Sequence, residues 1–389
     1  MVRIVPFAVE QWMYNYETTA GVLNVAETCV ASVSINDLVG MRKDTQTSGP
    51  IDTSIKLTYG SIPGSRTLRE RIAAHCSGEG AQLAVEDIIV TQGAILLEPG
   101  DHVVCVYPTY QQLYDVPRSI GAEVTLWKLK EEQNFVPNTD DLMNVIQDNT
   151  KMIIINNPNN PTGVPIPDSV LNRIAQIAKE KGVIIFSDEV YRPLFHGGTS
   201  GQIQVPQPAT ALGYEKSIVT GPMSKGYALA GNRLGWIASR DKSIMSTIMA
   251  ARDYTTISVS QIDDQIARYA LSPAVSPSLV DRSLNLARTN SRLVKEFVEG
   301  YKSVCSWVEP TAGTTAFVRF NNKNGETVND VDFCLDLLRK NNVLLVAGLK
   351  WFGDNKDFKG YVRMGYVCEI DVLVEGLKRL GTYIELNLL

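Results

Sequence analysis

One stretch of the chain decides its fold class: Met152-Ile153-Ile154-Ile155-Asn156-Asn157-Pro158-Asn159-Asn160-Pro161-Thr162-Gly163. The apolar run at its start shows no polar alternation, which indicates a strand that is buried on both faces. Such strands are typical of a mainly parallel sheet that is covered by helices. The amides and prolines that follow predict a loop at the carboxyl end of this strand. In open α/β sheets, ligands bind at that edge.

Outward from this stretch, short apolar runs alternate with helical patterns. A helix is predicted over 168–181, where Val170, Ile174 and Ile177 recur at helical spacing. Including the first stretch, seven strands are predicted, over residues 88–91, 103–107, 123–126, 152–156, 183–188, 217–220 and 234–238.

The pattern changes after about residue 275, where the helical stretches become longer and the strands fewer. The predicted elements there are a helix over 278–298, strands near 316–320, 343–346 and 361–364, and a closing helix from 371. We therefore predict an α/β protein whose large domain holds a mainly parallel seven-stranded sheet between helices, with a smaller α+β domain beside it. The predicted boundaries are 1–50 for an N-terminal arm and part of the small domain, 51–275 for the large domain and 276–389 for the small C-terminal domain.

Composition excludes several classes of function. The 389 residues carry a net charge of −5 without a basic block, which argues against a nucleic-acid partner. No apolar run approaches the about 20 residues needed to span a bilayer, so no membrane partner is expected. The three histidines lie far apart and predict no metal site. The six cysteines contain no CxxC motif and predict buried thiols in a reducing compartment, the cytoplasm.

Polar clusters follow the predicted strands of the large domain. Asn160 lies in the loop after the first stretch, and Asp188 and Tyr191 follow the strand over 183–188. Lys225 follows the strand over 217–220, and Arg233 precedes the next one. Because the carboxyl ends of parallel strands meet at one edge, we expect most of these side chains to share a site.

The order of these motifs resembles the fold-type-I, pyridoxal-phosphate-dependent class I/II aminotransferase family. The motifs are Asn157–Gly163 (NPNNPTG), Ser187–Tyr191 (SDEVY), Ser224-Lys225, Asn232–Trp236 (NRLGW) and Tyr361–Arg363 (YVR). Asn160 lies 28 residues before Asp188, and Lys225 lies 8 residues before Arg233, which also matches the family. The resemblance extends from Tyr59 to the C-terminus. It implies fold type I, pyridoxal 5′-phosphate as cofactor and an L-α-amino acid as substrate.

The resemblance also implies a role for each residue of the buried motifs. Lys225 would hold the cofactor aldehyde as a Schiff base and move protons, and Asp188 would pair with the pyridine nitrogen. Asn160 and Tyr191 would contact the phenolic oxygen of the cofactor. Arg363 would bind the substrate α-carboxylate, which Asn160 also faces. Ordinary alternatives remain: a surface lysine, a helix-capping aspartate, a turn amide, a core tyrosine and a surface arginine.

A second group of residues is implied to contact the rest of the cofactor. Tyr110 would stack on the pyridine ring, although a core aromatic is its alternative. Tyr59 would reach the phosphate of the neighbouring subunit, which implies a homodimer. The remaining residues of this group would surround the phosphate, namely Gly93, Ala94, Ser224 and Arg233.

The sequence departs from the family pattern at two places. Pro222 stands where the family usually has a serine whose hydroxyl contacts the phosphate, and proline donates no hydrogen bond. Between Ala94 and Glu98 only three residues replace a helix of several turns, so about nine residues are missing. Pro222 predicts weaker binding of the phosphate unless other groups compensate, and a true deletion at the second place would threaten both folding and cofactor affinity.

The reaction stays open between several alternatives. An aminotransferase is the default for this family, but a C–S lyase, a cyclase or another eliminating enzyme uses the same cofactor. The segment over 23–28 resembles that of 1-aminocyclopropane-1-carboxylate synthases, capreomycidine synthases and arginine oxidases. Glu27 in it would hold a substrate amine, or be a solvated loop residue. A catalytically silent binding protein is the alternative from another class.

Overall fold

The computed structural model describes residues 6–91 and 96–389. The strands, numbered along the chain, are β1 (Leu23–Asn24), β2 (Ile88–Thr91), β3 (His102–Tyr107), β4 (Glu123–Lys128), β5 (Thr150–Asn156), β6 (Ile184–Asp188), β7 (Ser217–Pro222), β8 (Gly235–Ala238), β9 (Cys305–Trp307), β10 (Thr315–Phe320), β11 (Val343–Leu344), β12 (Val346–Ala347) and β13 (Tyr361–Gly365). The helices are α1 (Ala8–Tyr16), α2 (Ile35–Gly40), α3 (Arg66–Cys76), α4 (Gln112–Ile120), α5 (Thr139–Val145), α6 (Asp168–Lys181), α7 (Lys242–Asp253), α8 (Gln261–Ala270), α9 (Ser276–Gly300), α10 (Asp330–Asn341), α11 (Gly348–Trp351) and α12 (Ile370–Asn387).

The seven predicted strands of the large domain form one sheet in the order β2-β8-β7-β6-β5-β3-β4. All its pairs are parallel except those of β8, which runs antiparallel to β2 and β7. The prediction of a mainly parallel seven-stranded sheet is therefore confirmed.

Burial on both faces explains why these strands contain continuous apolar runs. In β5, Ile153 and Ile155 belong to one hydrophobic cluster, while Met152 and Ile154 belong to a separate cluster. Neighbouring residues of a strand point to opposite faces, so helices cover the sheet on both sides.

The strands outside the seven-stranded sheet form two smaller sheets. A four-stranded antiparallel sheet has the order β12-β13-β10-β9, and a parallel pair joins β1 to β11. The prediction of one strand over 343–346 is wrong in this respect, because the chain changes sheets between β11 and β12. The carbonyl of Leu345, at the point of change, accepts a hydrogen bond from the indole of Trp12 instead of from a neighbouring strand.

The register of the large sheet aligns three polar residues in one row. Asn156 of β5 lies beside Asp188 of β6, which lies beside Thr220 of β7. All three stand at or near the carboxyl ends of parallel strands, so the sheet itself creates a polar edge. Within the described ranges, no helix has the length and apolar character needed to cross a membrane.

Candidate active site

Asp188 is the buried carboxylate of the polar row. Its Oδ1 accepts from Thr220 Oγ1 at 3.1 Å, and its Oδ2 accepts from Asn156 Nδ2 at 3.3 Å. The side chain is only 7% exposed. Burial raises the pKa of Asp188 to about 7, although the hydrogen bonds from Thr220 and Val190 act in the opposite direction. A buried carboxylate with a raised pKa is stabilised by any cationic donor that comes to it.

Lys225 is the third residue after β7, and the segment that contains Glu27 contacts its amino group. The amine donates to Thr28 Oγ1 at 2.5 Å and to Cys29 Sγ at 3.4 Å, and Glu27 Oε1 lies 4.0 Å away. Burial lowers the pKa of Lys225, but Cys29, Tyr191 and Glu27 outweigh it, so that the pKa is raised.

The backbone around Glu27 is held in place from several sides. Asn24 Oδ1 accepts from the amides of Ala26 and Glu27 at 3.0 and 3.1 Å. The carbonyl of Thr28 accepts from Thr314 Oγ1 at 2.8 Å. At Gly365 a Cβ atom would lie 1.8 Å from the carbonyl oxygen of Glu27, so this position requires glycine.

Arg363 lies in the middle of β13 with a side chain that is 3% exposed. Its Nη2 donates to the carbonyl of Ala26 at 2.8 Å, and its Nη1 donates to Asn160 Oδ1 at 3.4 Å. The guanidinium also lies 5.2 Å from the ring centroid of Phe352. Its buried Nε has no hydrogen-bond partner among the described residues. Burial lowers the pKa of Arg363, which marks a desolvated cation.

Two tyrosines lie beside these charged groups. Tyr191 is buried, and burial raises the pKa of its hydroxyl, while the charges of Lys225 and Arg363 act to lower it. The hydroxyl of Tyr110 donates to Glu10 Oε1 at 2.7 Å. Its ring contacts Phe7 edge-on, with 5.0 Å between the centroids. Helix α1 therefore packs against Tyr110 from the N-terminal side.

The structure thus brings together Glu27, Asn160, Asp188, Tyr191, Lys225 and Arg363. Ser224, next to Lys225, is half-buried, whereas Arg233 and Tyr59 lie exposed. Strand β8 begins at Gly235, later than predicted, because Arg233 has a left-handed backbone with a φ of 44° and donates to the carbonyl of Ala230. Gly93 and Ala94 lie outside the described residues, so their contacts and the predicted shortening after them stay predictions.

Sequence reasoning missed four residues of this site. Thr28 and Cys29 contact the amine of Lys225, but they are 197 and 196 residues away from it in the chain, and no local pattern shows that contact. Asn156 and Thr220 hold Asp188, and here a signal was available. Both are polar residues at the ends of predicted neighbouring strands, level with the carboxylate.

Comparison of the chain with known proteins shows the family to which it belongs. The profile described as "Aminotransferase class I and II" matches residues 50–371. The relatives include capreomycidine synthase of Streptomyces vinaceus, 29% identical over 73% of this chain and 69% of that protein. An aspartate aminotransferase of Sulfurisphaera tokodaii is 27% identical over 84% and 82%. A PLP-dependent aminotransferase structure from Streptococcus suis is 34% identical, covers 98% of each chain and has a TM-score of 0.86. This chain therefore belongs to the class I and II aminotransferase family.

Proposed function

We propose that this chain is a pyridoxal-phosphate-dependent enzyme that acts on an L-α-amino acid, by default as an aminotransferase. One observation carries the proposal: the amine of Lys225, the carboxylate of Asp188 and the guanidinium of Arg363 converge on one buried edge beside Tyr191. An amine that can form a Schiff base, a buried acid and a buried cation without an ion pair among the described residues are the groups that such chemistry needs.

The residues at this edge are suited to pyridoxal 5′-phosphate, the cofactor of the family. Asp188 is buried and its pKa is raised to about 7, so a protonated pyridine nitrogen would supply the positive charge it lacks. Tyr191 carries a buried hydroxyl that stays protonated and can donate. The buried Nε of Arg363, which has no acceptor among the described residues, is a further donor.

When bound, the cofactor withdraws electrons from the substrate Cα. Lys225 would hold the cofactor and carry a proton at that carbon, while Asp188 keeps the pyridine nitrogen protonated. Tyr191 and Asn160 would donate to the phenolic oxygen. Arg363 would orient the substrate through its α-carboxylate, because a guanidinium forms two parallel hydrogen bonds with a carboxylate.

The other predicted residues would bind the rest of the cofactor and the substrate. Tyr110 would cover the pyridine face. Glu27 would hold a substrate amine. The phosphate would be bound by Gly93, Ala94, Ser224 and Arg233, with Tyr59 of a second subunit.

The absorbance spectrum of the protein tests this proposal directly. Protein supplied with pyridoxal phosphate is expected to gain a visible band that amino acids alter, and Lys225→Ala is expected to abolish that band and to lower turnover by at least about 10⁴-fold. Lys216→Ala, an exposed lysine, serves as the matched control. Protein that stays cofactor-free in excess pyridoxal phosphate would support the catalytically silent alternative instead.

A second candidate is an eliminating or cyclising enzyme with the same cofactor. It is favoured by the contacts of Thr28, Cys29 and Glu27 with Lys225, since these residues lie where the proton transfers would occur. Capreomycidine synthase is among the relatives. Incubation with amino acids and 2-oxoglutarate separates the two candidates. Glutamate formation supports transfer, whereas ammonia, thiol or a cyclic product supports elimination or cyclisation.

We further propose a homodimer. Tyr59 is 79% exposed, and Leu57 and Tyr254 are 72% and 94% exposed. The side chain of Gln261 holds the segment with Leu57 and Tyr59 against α8 by donating to the carbonyls of Lys56 and Thr58. Large apolar side chains at such exposure are typical of a surface that a partner covers. A second copy would cover this surface and receive Tyr59 in its phosphate site.

Sedimentation in the analytical ultracentrifuge measures whether two copies of the chain associate. The double variant Leu57→Asp, Tyr254→Asp is expected to sediment as a monomer and to bind the cofactor more weakly. Leu386→Asp, a change at an equally exposed leucine of α12, is the control. A wild-type monomer with full cofactor affinity contradicts the proposal.

We also propose the domain boundaries 1–50, 51–275 and 276–389 and a cytoplasmic location. The strands of the seven-stranded sheet all lie within the second range, and the pairing of β1 with β11 joins the first range to the third. The six cysteines, all within the described ranges, are unpaired thiols, which supports a reducing compartment. Limited proteolysis that cuts near residues 50 and 275 would support these boundaries.

A further inference from the structure

Glu189 is the one charged residue of the SDEVY motif that the proposed site leaves without a role, apart from Asp188, which it follows. It is buried, with only 2% of its surface exposed. Its Oε2 accepts from Arg192 Nε at 2.8 Å. Its Oε1 accepts from Ser187 Oγ at 3.0 Å and from the amide of Ala209 at 2.8 Å. Both carboxylate oxygens are therefore bound inside the protein, and Arg192 supplies the opposite charge that a buried carboxylate needs.

The side chain of Arg192 is buried as well, with an exposed fraction of 9%. Its Nη2 donates to the carbonyl of Pro206 at 2.8 Å, and its guanidinium lies 4.9 Å from the ring centroid of Phe195. The segment over 206–209, to which both side chains are hydrogen-bonded, contains no titratable residue. Glu189 and Arg192 thus form a buried ion pair whose two charges cancel within the protein.

The backbone of Arg192 connects this ion pair to two residues of the proposed site. Tyr191 directly precedes Arg192 in the chain. At Gly226, which follows Lys225, a Cβ atom would lie 3.2 Å from the carbonyl oxygen of Arg192. The segment that carries the amine therefore packs closely on the segment that carries the phenol. Together with the link to Asp188 through the chain, the ion pair adjoins three groups of the site.

The other titratable groups around the ion pair are uncharged at neutral pH. Burial lowers the pKa of His75 to about 4 and raises the pKa of Cys76 to about 12. Burial also raises the pKa of Tyr227. The charge of Glu189 acts to raise the pKa of Asp188. The charged groups of the site are therefore the ones whose protonation the pair can influence.

We propose that Glu189 and Arg192 are positioning residues of the proposed reaction. Their ion pair holds the segments of Asp188, Tyr191 and Lys225 together and adds no net charge beside the site. This inference rests on the proposed function. A lone negative charge at this place would favour protonation of the groups in the site, and a lone positive charge would disfavour it. With the pair intact, that protonation is set by the residues of the site themselves.

The visible absorbance of the holoenzyme as a function of pH tests this inference. Glu189→Gln leaves Arg192 unpaired and is expected to lower the apparent pKa of the visible band by about one pH unit. Arg192→Met leaves Glu189 unpaired and is expected to raise this pKa by about as much. The double variant carries neither charge and is expected to stay within about 0.3 pH units of the wild type. A loss of packing alone would not shift the two single variants in opposite directions.

Two further variants separate charge from shape. Arg192→Lys keeps the positive charge and is expected to titrate like the wild type. Glu70→Gln breaks the exposed ion pair with Arg66 on α3, where the two charged atoms are 2.9 Å apart, and serves as the matched control. If Arg192→Met does not fold, the lower pKa of Glu189→Gln relative to the double variant decides the question.

Three results would overturn the inference. They are shifts of the same sign in both single variants, shifts no larger than that of Glu70→Gln, and a shift in Arg192→Lys equal to that in Arg192→Met. Wild-type protein that gains no visible band with pyridoxal phosphate would contradict the proposed function instead, so the two failures are distinguishable.

Discussion

The two ends of the proposed site are built in different ways. At the buried end, Asn156, Asp188 and Thr220 stand in one row across three parallel strands, and Arg363 lies in β13 of the four-stranded antiparallel sheet. At the exposed end, Tyr59 and Arg233 lie on loops and face outward.

This difference shows which part of the site has its geometry set by the fold. Strand register fixes the buried end, so its side chains are already in position before a ligand arrives. The exposed end depends on loops and, in our proposal, on a second subunit. We therefore expect substitutions at the buried end to reduce the rate of the chemical step. Substitutions at the exposed end are expected to change cofactor affinity only.

Replacement of Asp188 by asparagine is the strongest test of whether the buried end serves the chemical step. The variant keeps the shape, and its Oδ1 can still accept from Thr220, but its amide nitrogen cannot accept from Asn156, and the negative charge is lost. We expect kcat to fall by about 10²–10³-fold, since the charge would act on the developing charge of the reaction. Cofactor affinity is expected to change much less.

Rapid-mixing kinetics at saturating cofactor measure the first effect, and fluorescence titration measures the second. Asp140→Asn, in the exposed first turn of α5, is the matched control. A variant with normal kcat but weak cofactor binding would show that the buried end serves binding rather than chemistry.

The second prediction concerns the stability of the cofactor-free protein as a function of pH. The pKa of Asp188 is raised from 3.8 to about 7, so the folded state binds a proton more tightly than the unfolded state. Stability from this group is present below about pH 4 and is lost as the pH rises towards 7, by a few kcal/mol. Denaturant unfolding at pH 5 and pH 8 should show this loss in the wild type and a smaller loss in Asp188→Asn. Equal pH dependence of the two proteins would show that burial leaves Asp188 unperturbed.

The polar row of the large sheet could be predicted from the sequence, whereas the positions of the loops that carry Tyr59 and Arg233 could not, for a physical reason. Strands buried on both faces leave continuous apolar runs, and their last residues show where the polar edge begins, as Asp188 does. Arg363 could be placed only through the motif around it, because β13 pairs with distant strands.

Contacts between distant segments left no local signal. The short pairing of β1 with β11 and the position of Thr28 and Cys29 on Lys225 depend on the packing of the whole chain. The packing of α1 on Tyr110 is of the same kind, since Glu10 and Tyr110 are 100 residues apart.

A smaller effect is expected at Arg233, which tests the exposed end. Arg233→Ala should weaken cofactor binding about tenfold, because one partly solvated guanidinium–phosphate pair is lost. At saturating cofactor, kcat should stay within about twofold of the wild-type value, since the buried end is untouched. Arg66→Ala, on the solvent side of α3, is the control. A loss of kcat that added cofactor does not restore would remove the distinction between the two ends.

The smallest effect is expected at Pro222, where a substitution should strengthen cofactor binding rather than weaken it. This residue ends β7 beside Gly235, at the point where the family usually has a serine that contacts the phosphate. Pro222→Ser adds a hydroxyl there and is expected to tighten cofactor binding about threefold, the value of one added hydrogen bond. Pro222→Ala gives the backbone the same freedom without the hydroxyl and separates the two effects. If serine and alanine bind the cofactor equally, other groups already satisfy the phosphate, and the exposed end is more complete than its loops indicate.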